Sequence, residues 1–203
     1  LGDVYKRQGL GIDTSGKTAS CAIMKDDLVL GQISVYTKLT HSQVILPLVG
    51  RLLEDTGLKI SDMDLIAVAN GPGSYTGLRI GVALVKGLCY DGRKCIGVST
   101  LEALAFNCAA AKARIFCVMQ ARPGIIYFGA YDSDGESVVN AMPDGVISAE
   151  KLKEYISRYC GEVILTGDGA ENIKNEFFAD EERVRFSPPA QRFGHGRPRN
   201  CRL

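Results

Sequence analysis

The hydrophobic and polar positions of this chain follow two periods, and each change of period marks an element. Residues 9–13, 20–24 and 28–35 are apolar runs too short for helices. They are separated by Thr14-Ser15-Gly16-Lys17-Thr18 and by Lys25-Asp26-Asp27, and predict a meander of short strands. After Thr40, an N-cap candidate, apolar residues recur at helical spacing to about residue 56, where Gly57 supplies the stop. Pro47 lies inside that helix and is expected to weaken or kink its first turns. Residues 64–69 read as a buried strand, Asn70-Gly71-Pro72-Gly73-Ser74-Tyr75-Thr76-Gly77 as a tight loop, and the run to residue 90 as a second helix. A buried strand at 94–98 and a helix at 101–111 follow, and then the pattern restarts. Strands at 114–119 and 125–131, a turn at Ser133-Asp134-Gly135, a helix at 148–159, a strand at 162–166 and a helix at 171–178 repeat the first order. Strands alternating with helices predict an α/β fold of two similar subdomains, residues 9–103 and 104–182, with parallel pairing.

The two helices of the first half carry more apolar surface than one sheet covers. On the first, Val44, Ile45, Leu46, Leu48, Val49, Leu52 and Leu53 span roughly 200° of the wheel, about twice the stripe a sheet-packed helix needs. On the second, Leu78, Ile80, Val82, Leu84, Val85, Leu88 and Cys89 reach nearly all round it, while Arg79 and Lys86 share one sector. Ala83 and Gly87 add a small-residue strip where another backbone can approach. Both helices are therefore expected to be covered on a second side, by their own domain or by a second polypeptide.

Composition narrows the function classes. With 203 residues, 46% apolar and 23% charged, the chain has the make-up of a soluble globular protein. A net charge of +1 gives no global attraction to nucleic acid or anionic membrane, so any RNA must be held by a partner or a local patch. The seven cysteines contain no CxxC pair and sit mostly in apolar runs, which predicts reduced, buried thiols in the cytoplasm. The two histidines, His41 and His195, are too few and too far apart for a zinc cluster. Residues 1–8 have neither strand nor helix pattern and read as a leader, and no apolar run is of transmembrane length. Residues 183–203 hold six arginines and no acidic residue, and read as a basic, disordered tail.

One motif carries chemistry by its letters. Gly11-Ile12-Asp13-Thr14-Ser15-Gly16-Lys17-Thr18 fits GxxxxGK[ST], in which backbone amides cradle phosphate, Lys17 reaches the terminal phosphates and Thr18 holds magnesium. Its context opposes that reading, because a P-loop opens a helix and these residues lead into a hairpin. The other reading places the Asp13 carboxylate and the hydroxyls beside it in a turn facing an interdomain cleft, with Asp168 and Gly169 as a late counterpart. The weak cofactor-binding candidates are accordingly Asp13, Gly16, Lys17 and Thr18.

Leu10-Gly11-Ile12-Asp13-Thr14-Ser15, Thr40-His41-Ser42-Gln43 through Leu46-Pro47-Leu48, Asn70-Gly71-Pro72-Gly73-Ser74-Tyr75-Thr76-Gly77-Leu78-Arg79-Ile80-Gly81 and Gly97-Val98-Ser99-Thr100-Leu101-Glu102-Ala103-Leu104-Ala105 resemble, in order, the TsaB (YeaZ) family. This family supplies accessory subunits for bacterial synthesis of threonylcarbamoyladenosine in tRNA. The resemblance covers residues 10–106 and runs more loosely to about 178. It implies an actin-like (ASKHA, ribonuclease H-like) fold and a non-catalytic scaffold that supports a TsaD-type catalytic paralogue. That paralogue transfers threonylcarbamoyl from its adenylate to N6 of the adenosine beside the anticodon. A TsaE-type ATPase is the other implied partner, with a homodimer when alone, tRNA met only through the complex, and no membrane.

Catalytic residues, metal and intrinsic cofactor are implied to be absent from this chain, with ATP or ADP and metal belonging to the partner subunits. The implied partner interface is His41, Val44, Ile45, Leu48, Val49, Leu52, Ile80, Ala83, Leu84, Gly87 and Leu88, and the implied structural loop is Gly71, Pro72, Gly73, Ser74, Thr76, Gly77 and Arg79. Where the catalytic paralogue carries its metal-binding histidines, this chain has Ser99-Thr100-Leu101-Glu102-Ala103-Leu104. It departs from the family at Gln120 and Ile125, where acidic residues are usual, and in its arginine-rich end, where a helix is usual. The rival readings are an independent ATP-binding hydrolase or kinase using the 11–18 loop, and a glycopeptidase-like protein. No nucleophile and base pair supports the latter.

Overall fold

The computed structural model describes residues 7–26, 28–36 and 38–187. These fall into two units, one ending at Ser99 and the other starting at Thr100. The first comprises β1 (Gln8–Asp13), β2 (Thr18–Lys25), β3 (Leu28–Tyr36), α1 (His41–Thr56), β4 (Leu65–Gly71), α2 (Tyr75–Leu88) and β5 (Lys94–Ser99). The second comprises α3 (Thr100–Phe106), β6 (Lys112–Arg122), β7 (Ile125–Asp134), β8 (Val138–Ser148), α4 (Ala149–Arg158), β9 (Val163–Thr166), α5 (Ala170–Phe177) and β10 (Val184–Ser187).

Each unit holds one five-stranded mixed sheet, in the orders β3-β2-β1-β4-β5 and β8-β7-β6-β9-β10. In the first, β1 and β2, and β2 and β3, pair antiparallel, whereas β4 lies parallel to both β1 and β5. The second repeats this with β6, β7 and β8 antiparallel and β9 parallel to β6 and β10. The duplicated meander, helix, strand, helix, strand order is the actin-like arrangement.

Local chemistry sets the helix bounds as the sequence implies. Before α1, the Gln43 side chain accepts from the Thr40 backbone N–H at 3.1 Å, and the helix ends where Gly57 takes φ 67°, a left-handed cap that favours glycine. Pro47 does not interrupt the helix. Leu10, Ile23, Ile45, Val49, Leu52 and Ile66 form the core of the first unit. Phe116, Val118, Leu152, Ile156 and Leu165 form the main core of the second.

Several expectations need correction. Gln8 belongs to β1, paired with Lys25, and the Arg7 N–H donates to Asp26, so residues 7 and 8 are part of the first unit and not of a leader; residues 1–6 lie outside the described residues. Residues 183–187 are not a tail: Val184 and Phe186 alternate with Arg183 and Arg185 in the period of a strand, and β10 pairs with β9. Arg183 meets Glu181 at 2.9 Å and Arg185 meets Glu162 at 2.8 Å. The rest of the basic segment, including His195, lies outside the described residues. The strand at 94–98 is an edge strand, partly exposed and not buried. The cysteines divide, with Cys21, Cys108 and Cys117 buried but Cys95 and Cys160 exposed. α3 packs on β6 and β7, with Leu101 and Ala105 in a core of the second unit, so that whole helix belongs there.

Candidate functional site

The 11–18 loop does not form a P-loop. Thr18 is the first residue of β2, and Asp13 pairs with Ser20 across the hairpin, so no helix follows the loop and no helix N-terminus faces a phosphate. Its polar groups serve the fold instead. The Ser15 N–H donates to the Asp13 carboxylate at 2.8 Å, closing an Asx turn. The Ser15 carbonyl accepts from the Ser74 N–H at 2.7 Å, and the buried Thr14 hydroxyl donates to the Gly77 carbonyl at 2.7 Å. Lys17 is exposed.

The glycine loop and α2 exist in this form because they lie against that turn. A Cβ at Gly73 would sit 2.6 Å from the Ser15 carbonyl oxygen, at φ 158°. One at Gly81 would sit 2.5 Å from the Thr14 hydroxyl, and one at Gly77 would overlap the Thr14 carbonyl oxygen. Glycine at these positions lets helix backbone touch turn backbone. Ser74 caps α2 by accepting from the Gly77 N–H at 3.3 Å. Gly71, Pro72 and Gly73 are half-buried, Thr76 is exposed, and Arg79 lies over the Tyr75 ring at 5.4 Å.

The expected interface residues divide into two sets. Val44, Ile45, Val49 and Leu52 are buried in the core of their own unit and have no surface to offer a partner, which corrects that part of the expected interface. Their side of α1 packs on β2 and β3. His41 is half-buried, and its Nε2 lies 2.8 Å from the Gly16 carbonyl. A carbonyl only accepts, so Nε2 carries the proton and His41 clamps the β1–β2 turn. Leu48, Ile80, Leu84 and Leu88 are half-buried beside the core, and Ala83 and Gly87 are exposed. Leu46, Tyr75 and Tyr90, at 54%, 74% and 95% exposure, extend the apolar surface. What remains open is thus narrower than the wheel suggests, and it lies mainly on α2.

In the second unit Asp168 is exposed at the end of β9, where its carboxylate accepts from the Gln120 N–H at 3.0 Å. Gln120, Ala121, Arg122, Pro123 and Gly124 are all exposed. Among the described residues, no three His, Cys, Asp or Glu side chains converge as metal ligands, and no helix is long and apolar enough to cross a membrane.

The chain is similar in sequence and fold to known proteins. The profile of the family described as TsaD, tRNA N6-adenosine threonylcarbamoyltransferase, matches residues 35–192. The tRNA threonylcarbamoyladenosine biosynthesis protein TsaB of Bacillus subtilis is 39% identical over 159 residues, 78% of this chain and 69% of that protein. The protein of the same name from Escherichia coli is 30% identical over 164 residues, 79% of this chain and 71% of that one. Among solved structures, YeaZ from Pseudomonas aeruginosa superimposes with a TM-score of 0.77 at 24% identity, covering 90% of this chain and 84% of that one.

Proposed function

The chain belongs to the TsaB family, and from that premise we propose that it is a non-catalytic subunit of cytoplasmic threonylcarbamoyladenosine synthesis on tRNA. It docks on a TsaD-type catalytic subunit through the outward side of α2 and the adjoining end of α1. The observation that carries this reading is the split within α2. Its deep side is Gly77, Gly81 and Val85, while Ala83, Gly87, Tyr75 and the flanks of Ile80, Leu84 and Leu88 stay open to a second polypeptide. Small residues permit close backbone approach, exposed apolar residues mark interaction surfaces, and Arg79 and Lys86, exposed on either side of Ala83, add charge to this side.

Two features support the non-catalytic part of this reading. In the segment Ser99-Thr100-Leu101-Glu102-Ala103-Leu104, Leu101 is fully buried as packing, and no side chain has the donor character of a histidine pair. In the Asp13 turn the Thr14 hydroxyl and the Ser15 carbonyl are engaged by α2 and its Ser74 cap, and the Gly16 carbonyl by His41.

The test uses positions where a new side chain harms docking and spares the fold. A Cβ at Gly87 meets nothing within 4 Å, and Ala83 is exposed. Ala83→Glu and Gly87→Arg are expected not to lower the unfolding midpoint appreciably and to weaken capture of the TsaD-type subunit at least about tenfold, as a charge forced into the contact loses its water. Undiminished capture by both variants would falsify the docking surface. Val49→Asp is uninformative here because Val49 is core.

A further inference from the structure

We propose that Cys89 and Cys95 form a dithiol that low-molecular-weight disulfides, of the glutathione disulfide class, convert to an intramolecular disulfide joining the end of α2 to β5. Cys89 is the C-cap residue of α2, half-buried at the edge of the first core. Cys95 is the second residue of the edge strand β5 and is exposed. The chain between them folds back on itself. The Gly92 N–H donates to the Cys89 carbonyl at 3.1 Å, Gly92 takes φ 90°, and the Arg93 guanidinium donates to the Leu88 carbonyl at 3.1 Å. This return brings the Cys89 sulfur to 3.9 Å from the Lys94 carbonyl, the residue directly before Cys95. Burial first, and then the neighbouring Cys95 thiol, raise the Cys89 thiol above its ordinary value.

These positions assign the roles in exchange. The exposed Cys95 thiolate attacks one sulfur of the small disulfide, whose S–S bond breaks and releases one small thiolate. The Cys89 thiolate then attacks the Cys95 sulfur of the mixed disulfide, the protein S–S bond forms, and the second small thiolate leaves. The two protons lost by the cysteines end on the released thiols. The two electrons pass from the protein sulfurs to the small disulfide. Cys89 is poised to resolve the mixed disulfide because it is shielded from bulk oxidant yet adjacent to Cys95. Among the described residues, the other exposed cysteine, Cys160, lies in the second unit.

The experiment incubates the full-length reduced protein in glutathione disulfide and glutathione mixtures, blocks free thiols by alkylation, and digests with trypsin. Trypsin cuts after Arg93 and Lys94, between the two cysteines, so a disulfide holds together two peptides that reduction separates. The linked pair is expected in native protein, along with loss of two titratable thiols. Cys89→Ser is expected to leave Cys95 as a stable glutathione adduct, and Cys95→Ser to abolish the linked pair. The proposal is overturned if the native chain yields both cysteines separately alkylated, or Cys95 only as its glutathione adduct, at ratios that fully oxidise an added control dithiol. Circular dichroism of each variant distinguishes a folding defect from a lost reaction.

Discussion

The two units share one strand order, yet their matching helices meet solvent differently. α4 occupies in the second sheet the place α1 has in the first, and α5 that of α2. α4 buries Leu152 and Ile156 and turns Glu150, Lys151, Lys153, Glu154, Ser157 and Arg158 outward, the narrow stripe of a helix packed on one side. α5 likewise buries Ala170 and Ile173 and exposes Glu171, Asn172 and Glu176. α1 and α2 also turn charges outward, Arg51, Glu54, Arg79 and Lys86, but add Leu46, Tyr75, Ala83 and Gly87 to their exposed residues. With topology held constant, this difference reports on what each unit must cover, and it is why the docking surface is proposed on the first unit.

The glycine contacts supply the strongest test of the contrast. In the first unit, glycine seats a helix on the β1–β2 turn; in the second, Gly167, at φ 108°, seats the β9–α5 turn on the Val118 carbonyl. Gly77→Ala is expected to destabilise the chain by about 3 kcal/mol or more, because backbone must separate from backbone. Gly167→Ala should do at least as much, adding an unfavourable φ to the overlap. Urea unfolding measures both. A loss below about 1 kcal/mol at Gly77 would mean α2 is not held against Thr14 as described.

Thr14→Val probes the same contact more gently. It keeps the shape but removes the buried hydroxyl that donates to the Gly77 carbonyl, so a loss of about 1 kcal/mol is expected in the same titration. A neutral result would show that the helix backbone alone secures the turn.

These contacts also explain which parts of the molecule were legible in the sequence. The bounds of α1 were readable because Thr40 and Gly57 are local signals, and the three-strand meander because its turns are polar. β8 was missed: Val138–Ser148 is an edge strand holding Pro143 and Gly145, largely exposed, so it lacks the alternation that burial imposes. β10 was hidden by its arginines: Arg185 is the solvent side of the strand, and Arg183, just before it, is half-buried and donates to the Tyr159 carbonyl. The open side of α2 was half legible. A wheel counts bulky apolar residues as the buried side, whereas the deepest side of α2 is Gly77 and Gly81, and hydrophobicity does not register glycine as core. The large residues were thereby left on the flanks, and the width of α1 overstated the free surface because β2 and β3 cover four of its residues.

Gly87→Ala isolates the exposed strip with a smaller effect of opposite sign. Its Cβ meets nothing, and Ala is favoured over Gly inside a helix, so the free chain should gain about 0.5–1 kcal/mol in urea. A loss of stability would mean that this side of α2 is already packed and unavailable to a partner.

The smallest expected effect is a pH dependence located in the second unit. Asp132 is held below the usual carboxylate range by the Arg114 guanidinium, which donates two bonds at 2.8 Å. Asp134 is lowered to about 2 by the Ser137 and Glu136 backbone N–H groups and the Ser137 hydroxyl at the β7–β8 turn. A carboxylate lowered in the folded state stabilises it fully above its unfolded value, near 3.8 for Asp134, and the contribution is lost as the pH falls towards about 2. The group is fully exposed, so solvent screening keeps the effect modest. Amide exchange of Ser137 is therefore expected to accelerate as the pH drops through that window, beyond the intrinsic change in exchange rate, and Asp134→Asn should remove the excess. Equal acceleration in the variant would assign the acid sensitivity to the Arg114–Asp132 pair instead.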